Sequence, residues 1–306
     1  MPRMQWQSEL AQLRRDNRAS AQEILYRAVD LLIDAVGDSI PGGALSYRRW
    51  LVRTGRELVA AQPAVGEIYR LVNDMLWACD EALGGEQIRQ QALDFLQGYR
   101  ATADEALEQL AEKAATALLP YAVMLTYSRS TTLLRAMTAL AARKKRFRVL
   151  CSEGRPASEG QALASELTWA GIEVTLGIDM ALFGWLEEAN ALVLGARSLS
   201  RLGVVNKIGS AALARAAYER EVPCILLCTT RKFLPSDYIL AQHLVSGPPD
   251  EIMPTTNDRL TVRNVQYDIT PLEWVSTVIT EQGALSGEEL LRALDAIQTY
   301  PGLRGG

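Results

Sequence analysis

The sequence predicts an α/β fold in which an all-helical N-terminal domain is followed by a doubly wound, mainly parallel, Rossmann-like sheet domain. Apolar residues recur at helical spacing up to about residue 113, and short apolar runs alternate with helical stretches after Pro120. The stretch 191–233 reads as strand, loop, helix and strand, which is typical of a parallel sheet. We therefore expect domains at 1–115 and 116–306.

The N-terminal part shows a helical pattern only. Leu10 and Leu13, and then apolar residues between 24 and 35, recur three or four positions apart. Turn signals at 38–43 and at Gly84-Gly85 interrupt this pattern. Further helices are predicted at 47–60, 64–82 and 86–119.

The pattern after Pro120 predicts strands that alternate with helices. Strands are predicted at 121–126, 147–151, 172–176, 191–194 and 222–228, and helices at 131–143, 158–170, 180–189 and 208–220. Near the C-terminus we expect a further strand at 264–269 and closing helices at 271–280 and 286–299. Ligands of such sheets bind at the carboxyl ends of the strands, so candidate site residues are sought there.

Composition excludes several functions. The net charge of −4 argues against direct nucleic-acid binding, and no apolar run approaches the roughly 20 residues that a membrane helix needs. The polar N-terminus does not resemble a signal peptide, so we expect a cytoplasmic protein that does not contact a membrane. The four cysteines form no C-x-x-C pair, and neither a metal site nor a cofactor is expected. The cysteines are Cys79, Cys151, Cys224 and Cys228.

The loop at 206–210 is the first candidate site. It reads Asn-Lys-Ile-Gly-Ser immediately before a predicted helix, where free backbone N–H groups and the helix dipole favour an anion. Gly209 permits close approach of a ligand, Ser210 can cap the helix, and Lys207 adds a cation. A phosphate is the natural ligand of such a corner. The alternative is a tight turn beside a solvated lysine.

The end of the first predicted strand is the second candidate site. Residues 126–132 read Thr-Tyr-Ser-Arg-Ser-Thr-Thr and place hydroxyl groups at another helix start. This is again a favourable place for an anion, but Ser and Thr also cap helices without any ligand. Both interpretations stay open on the residues alone.

Two longer stretches resemble one superfamily. These are GVVNKIGSAALARAAYEREVPCILLCTTRKF, from residue 203, and the tail YDITPLEWVSTVITEQG, from residue 267. They are similar to the alpha, beta and delta subunits of eukaryotic initiation factor 2B, to methylthioribose-1-phosphate isomerase and to ribose-1,5-bisphosphate isomerase. The resemblance implies a homodimer or larger assembly through the C-terminal domain, a phosphorylated sugar or nucleotide as ligand, and in some members a protein partner.

The resemblance also implies roles for single residues. The catalytic Cys of the isomerases falls on Ser128, and their general-acid Asp falls on Arg197. Their phosphate-contacting Arg before a Pro falls on Gln62, so this sequence lacks that contact. The remaining family positions imply contacts to phosphate from Arg18, Ser130, Thr131, Thr132, Asn206, Lys207 and Lys232.

The changes remove chemical groups and retain binding groups. An Arg is protonated near pH 7 and cannot serve as an ordinary acid or base, and a Ser hydroxyl needs a neighbouring base to become a nucleophile. The sequence shows no such base next to Ser128. We therefore expect a non-catalytic regulatory protein that binds a sugar phosphate or nucleotide. An isomerase of a phosphorylated ribose that uses other groups, and a scaffold with a vestigial pocket, are the alternatives.

Overall fold

The first part of the chain is helical, as predicted. The computed structural model describes residues 5–16, 19–40, 42–143, 146–236, 238 and 246–304, and the described residues before 118 contain no strand. The helices are α1 (Gln5–Arg15), α2 (Ala21–Gly37), α3 (Ala44–Ala61), α4 (Gly66–Ala78) and α5 (Gly85–Ala117). A reciprocal capping box fixes the start of α2, since Ser20 Oγ accepts from Glu23 N and the Glu23 carboxylate accepts from Ser20 N.

The second part of the chain alternates strands and helices. Its strands are β1 (Val123–Leu125), β2 (Arg148–Ser152), β3 (Glu173–Gly177), β4 (Ala191–Gly195), β5 (Ser198–Ser200), β6 (Gly203–Lys207), β7 (Cys224–Leu227), β8 (Tyr267–Thr270), β9 (Thr277–Thr280) and β10 (Gly283–Leu285). Its helices are α6 (Thr131–Ala142), α7 (Glu159–Trp169), α8 (Ala181–Trp185), α9 (Ser210–Glu219) and α10 (Gly287–Asp295).

Seven of these strands form the main sheet, in the order β10–β9–β7–β4–β1–β2–β3. Every neighbouring pair is parallel except β9 and β10, which form an antiparallel hairpin. The strand order runs outward in both directions from the β1–β4 pair. In doubly wound sheets such a switch point opens a crevice at the carboxyl ends of the two strands.

A smaller antiparallel sheet, in the order β5–β6–β8, lies beyond the end of β4. Its presence corrects the prediction of a loop at 206–210, because Asn206 and Lys207 are the last two residues of β6. Val204 pairs with Leu199 across a tight hairpin, and Val205 pairs with Ile269 of the distant β8, a long-range pairing that is not visible in the local pattern.

The prediction of a helix at 271–280 is wrong. Leu272–Trp274 forms a single 3₁₀ turn after Pro271, and β9 then pairs in parallel with β7. The β-branched run Thr-Val-Ile-Thr suits a strand at this place. The strand predicted at 264–269 is β8, which joins the small sheet.

Long helix α5 connects the two parts of the chain. Its Ile88 and Leu96 are buried in the core of the N-terminal helices. Its Leu110 and Ala114 are buried with α6 and α7 on one face of the main sheet. The opposite face is covered by α8, α9 and α10. No described helix is both long and apolar enough to cross a membrane.

Candidate functional site

The candidate site is a cavity at the switch point between β1 and β4. Residues that follow β1 and β4 form its floor, and β6 forms one wall. The start of α2 and Glu67 of α4 close it from the helical side. Close packing holds α4 in place, because a Cβ on Gly66 would lie 2.7 Å from the carbonyl oxygen of Lys232.

The structure brings the predicted site residues together in this one cavity. The residues that line it include Ser128, Ser130, Thr131, Thr132, Arg197, Asn206, Lys207 and Lys232. Arg18, the remaining predicted phosphate contact, lies outside the described residues. That these residues bind a ligand stays a prediction.

A carboxylate that the sequence did not reveal lies beside Ser128. Ser128 has a left-handed backbone with φ of 68°, and its Oγ donates to Glu159 Oε1 at 2.8 Å. Glu159 is the first residue of α7, and it reaches the cavity because α7 starts close against the end of β2. A Cβ on Gly160 would lie 1.8 Å from the Ser152 carbonyl oxygen. The sequence feature that could have indicated this carboxylate is Glu159-Gly160 at a helix start, because the glycine allows the helix to approach the sheet closely.

Lys207 shares the same carboxylate. Its Nζ lies 2.7 Å from Glu159 Oε1, and only 9% of its side chain is exposed. Glu159 Oε2 is buried and has no hydrogen-bond partner among the described residues. The lysine that the sequence predicted as a phosphate contact is thus neutralised within the protein.

Arg197 has no carboxylate of this kind. Among the described residues its guanidinium forms no ion pair; Nη2 donates to the Ala19 carbonyl oxygen at 3.3 Å, and the group lies 4.6 Å from the centre of the Tyr267 ring. Burial lowers the pKa of Arg197 to about 10, while Glu159, Asp16 and Glu67 act in the opposite direction. The side chain therefore stays cationic at neutral pH.

Lys232 and Asn206 add buried donors. Lys232 Nζ donates to the Ala196 carbonyl oxygen at 2.9 Å. Asn206 Oδ1 accepts from Thr270 Oγ1 at 2.9 Å, and its Nδ2 is buried without a partner among the described residues. Unsatisfied buried donors cost free energy, so these groups favour an anionic or oxygen-rich ligand.

The start of α9 differs from its prediction. Gly209, with φ of 97°, is the N-cap, and Ser210 is the first helical residue rather than the cap. The Asp268 carboxylate accepts from Gly209 N at 2.7 Å and from Ala211 N at 3.3 Å. Burial raises the pKa of Asp268, and these N–H groups oppose the rise. A distant strand thus supplies the anion at this helix start.

Two other predicted positions serve the fold. Gln62 lies outside the cavity lining, and its Nε2 donates to the carbonyl oxygens of Leu13 and Asp16, both at 2.7 Å. Asp179, near the start of α8, accepts from the backbone N–H groups of Gly154 and Arg155, both at 2.8 Å, and so fixes the loop after β2.

The four cysteines are free thiols in the core. Burial raises the pKa of Cys79 and Cys151 to about 11 and that of Cys224 and Cys228 to about 12. Thiols with such pKa values are protonated at neutral pH and are poor nucleophiles.

Comparisons with known proteins agree with the resemblance seen in the sequence. A protein of Pyrococcus horikoshii, named for its likeness to subunit 2 of translation initiation factor eIF-2B, is 32% identical over 232 residues. The match covers 74% of this chain and 78% of that protein. A ribose 1,5-bisphosphate isomerase of Archaeoglobus fulgidus is 28% identical over 236 residues, with 76% and 74% covered.

A solved structure shares the fold. The tetrameric eIF2B-beta2-delta2 complex from C. thermophilum contains a chain that superposes with a TM-score of 0.76 at 22% identity. The match covers 96% of this chain and 94% of that one. A model of the initiation factor 2 subunit family matches residues 18–287. The proteins similar to this chain thus include both eIF-2B-like proteins and isomerases, and the chain itself belongs to the initiation factor 2 subunit family.

Proposed function

We propose that this chain is a non-catalytic regulatory protein that binds a phosphorylated sugar or a nucleotide in the β1–β4 cavity. The observation that carries this proposal is Arg197, a cation in the cavity without a carboxylate partner among the described residues. Ser130, Thr131 and Thr132 at the start of α6 supply further donors for a phosphate.

The same arginine argues against turnover. The resemblance implies a general acid at this position, and a guanidinium neither gives nor takes a proton readily near neutral pH. General acid and base groups each contribute roughly 10²–10⁴-fold to a rate. Replacing the acid by a permanent cation favours tight binding of an anion over chemical change.

Assembly is the second part of the proposal. A homodimer or larger assembly through the 116–306 domain, in the cytoplasm and with a protein partner in some settings, fits a member of this family. The C. thermophilum relative, named as a tetrameric complex, supports self-association. Sedimentation at micromolar concentration should give a mass above the 33.6 kDa of one chain; a monomer would count against this part.

An isomerase is the second candidate, and one observation favours it. Ser128 Oγ lies 2.8 Å from Glu159 Oε1, so the hydroxyl has a carboxylate beside it after all. Glu159 Oε1 is also in ion-pair contact with Lys207 Nζ, however, so the Ser128 hydroxyl shares this oxygen with a cation. The contact therefore keeps the isomerase as an alternative to the binding role.

Ligand-dependent stability and turnover separate these candidates. We would measure thermal unfolding with ribose-5-phosphate, ribose-1,5-bisphosphate, methylthioribose-1-phosphate and nucleoside monophosphates, and follow the same mixtures by NMR for ketose formation. A ligand at 100 times its Kd should stabilise the fold by about 2.7 kcal/mol. Stabilisation without ketose supports the proposal. Enzyme-like ketose formation identifies an isomerase. If the ligands cause neither stabilisation nor ketose formation, the scaffold with a vestigial pocket is the remaining alternative.

A further inference from the structure

The cations of the cavity fall into two kinds. Lys207 lies 2.7 Å from Glu159 Oε1, whereas Arg197 makes no ion pair among the described residues. Arg197 N donates to the Val205 carbonyl oxygen, which places Arg197 next to Asn206 and its unpartnered Nδ2. Burial lowers the pKa of Arg197 and Glu159 is near enough to oppose this, but of these two cations Lys207 is the one in ion-pair contact with Glu159. Arg197 and Asn206 therefore keep donors for a ligand, whereas the Lys207 cation is matched by a carboxylate.

Glu159 changes what the Lys207 part of the cavity can accept. Its Oε1 accepts from both Ser128 Oγ and Lys207 Nζ, and its buried Oε2 has no described partner. A phosphate that approached Lys207 would meet a carboxylate within about one hydrogen-bond length, and two negative charges repel strongly in a partly buried site. A sugar hydroxyl meets no such repulsion, and it can donate to a carboxylate.

We propose that Glu159 is a specificity-determining residue that limits the cavity to ligands with a single phosphate. The phosphate binds at Arg197 and Asn206, and a hydroxyl-bearing end of the ligand lies toward Ser128 and Glu159. The inference rests on the proposed binding function and narrows it: the ligand is a hydroxyl-rich monophosphate, and a bisphosphate is disfavoured.

A matched pair of sugars tests this. Ribose-5-phosphate and ribose-1,5-bisphosphate differ by one phosphate, and their affinities would be measured by calorimetry for the unmodified protein and for Glu159→Gln. We expect the unmodified protein to prefer the monophosphate. Glu159→Gln keeps a hydrogen-bond acceptor but removes the charge, so it should shift the affinity ratio toward the bisphosphate about tenfold or more. Glu188→Gln is the control, because Glu188 pairs with Arg148 outside the cavity lining.

A second variant shows whether Lys207 carries the gain. In Lys207→Met the released cation is missing, so adding Glu159→Gln relieves only the repulsion and should shift the affinity ratio toward the bisphosphate by less than it does beside Lys207. The inference is wrong if the unmodified protein prefers the bisphosphate, or if Glu159→Gln changes both affinities equally. If these two sugars, methylthioribose-1-phosphate and the nucleoside monophosphates all fail to bind the unmodified protein while its unfolding is cooperative, the proposed function itself fails. Thermal unfolding of each variant checks that it folds.

Discussion

Two helix starts beside the cavity, those of α6 and α9, were predicted as anion sites, and the structure treats them differently. At α9 the Asp268 carboxylate accepts from Gly209 N and Ala211 N. At α6 a neutral hydroxyl is the cap, since Ser130 Oγ accepts from Leu133 N at 3.3 Å. No carboxylate among the described residues accepts from the first amides of α6. A helix start alone thus does not determine whether an anionic ligand can bind. The side chains that other elements bring to the helix start determine it.

Electrostatics explains why the difference matters for the ligand. A phosphate at α9 would have to displace a carboxylate that β8 holds in register opposite Asn206. At α6 a phosphate would not have to displace a carboxylate from the first amides, because the cap that the described residues supply there is the Ser130 hydroxyl. Of the two predicted corners, α6 is therefore the one that we expect a ligand to use.

Removing the carboxylate at α9 should have the largest effect. Asp268→Ala leaves the Gly209 and Ala211 N–H groups without their acceptor. Hydrogen bonds to charged groups contribute about 1.5–3 kcal/mol each, but these partly exposed bonds are expected to cost about 2 kcal/mol together. Urea unfolding measures the loss, with exposed Asp258→Ala as control. A change below roughly 0.5 kcal/mol, typical of surface substitutions, would contradict this account of α9.

The same comparison shows what the sequence could and could not predict. Alternation of apolar runs and helices was enough for the parallel core of the sheet, because burial sets that pattern locally. The same pattern did not predict β9, because this strand has only four residues and follows closely after Pro271. It also missed Glu159 and Asp268, because each reaches the site from another element: Glu159 through close packing of α7 on β2, and Asp268 through the pairing of β8 with β6. Local patterns placed the donors, and long-range contacts determine which donors are already occupied.

Removing the Arg197 guanidinium should have the next largest effect. Arg197→Met removes the guanidinium but keeps a long side chain over Tyr267. Losing one charge-assisted hydrogen bond to a phosphate should weaken binding of ribose-5-phosphate about tenfold, which is ~1.4 kcal/mol. Calorimetry gives the affinity. Arg215→Met, in an exposed pair with Glu219, is the control and should leave the affinity unchanged.

Changing the cap of α6 should have a smaller effect on stability and a diagnostic effect on binding. Ser130→Ala should cost about 1 kcal/mol of unfolding free energy, as is usual for loss of an N-cap. Ser130→Asp should keep the cap, and it would give α6 a carboxylate like that of α9. We expect Ser130→Asp to weaken phosphate binding more than Ser130→Ala. If the two variants bind equally, the α6 start is not part of the phosphate site.

The smallest expected effect is on the pH dependence of stability, and it tests the balance of forces at α9. Burial raises the folded-state pKa of Asp268 above its ordinary value of 3.8, and the amides of Gly209 and Ala211 oppose the rise. With a raised folded-state pKa, the stability linked to this proton is fully present below the unfolded-state pKa and is lost as pH rises through the folded-state pKa.

Asp268→Asn has no carboxyl to titrate at this position. The free energy of unfolding of the unmodified protein, minus that of Asp268→Asn, should therefore decrease as pH rises from about 3.5 toward neutrality. Urea unfolding of both proteins over a pH series measures this difference, and contributions from all other carboxyl groups largely cancel. A difference that grows with pH would mean that the two amides outweigh burial. The Asp268 carboxylate would then stabilise the α9 start increasingly as pH rises. The difference in anion binding between the α9 and α6 starts would be larger than we infer.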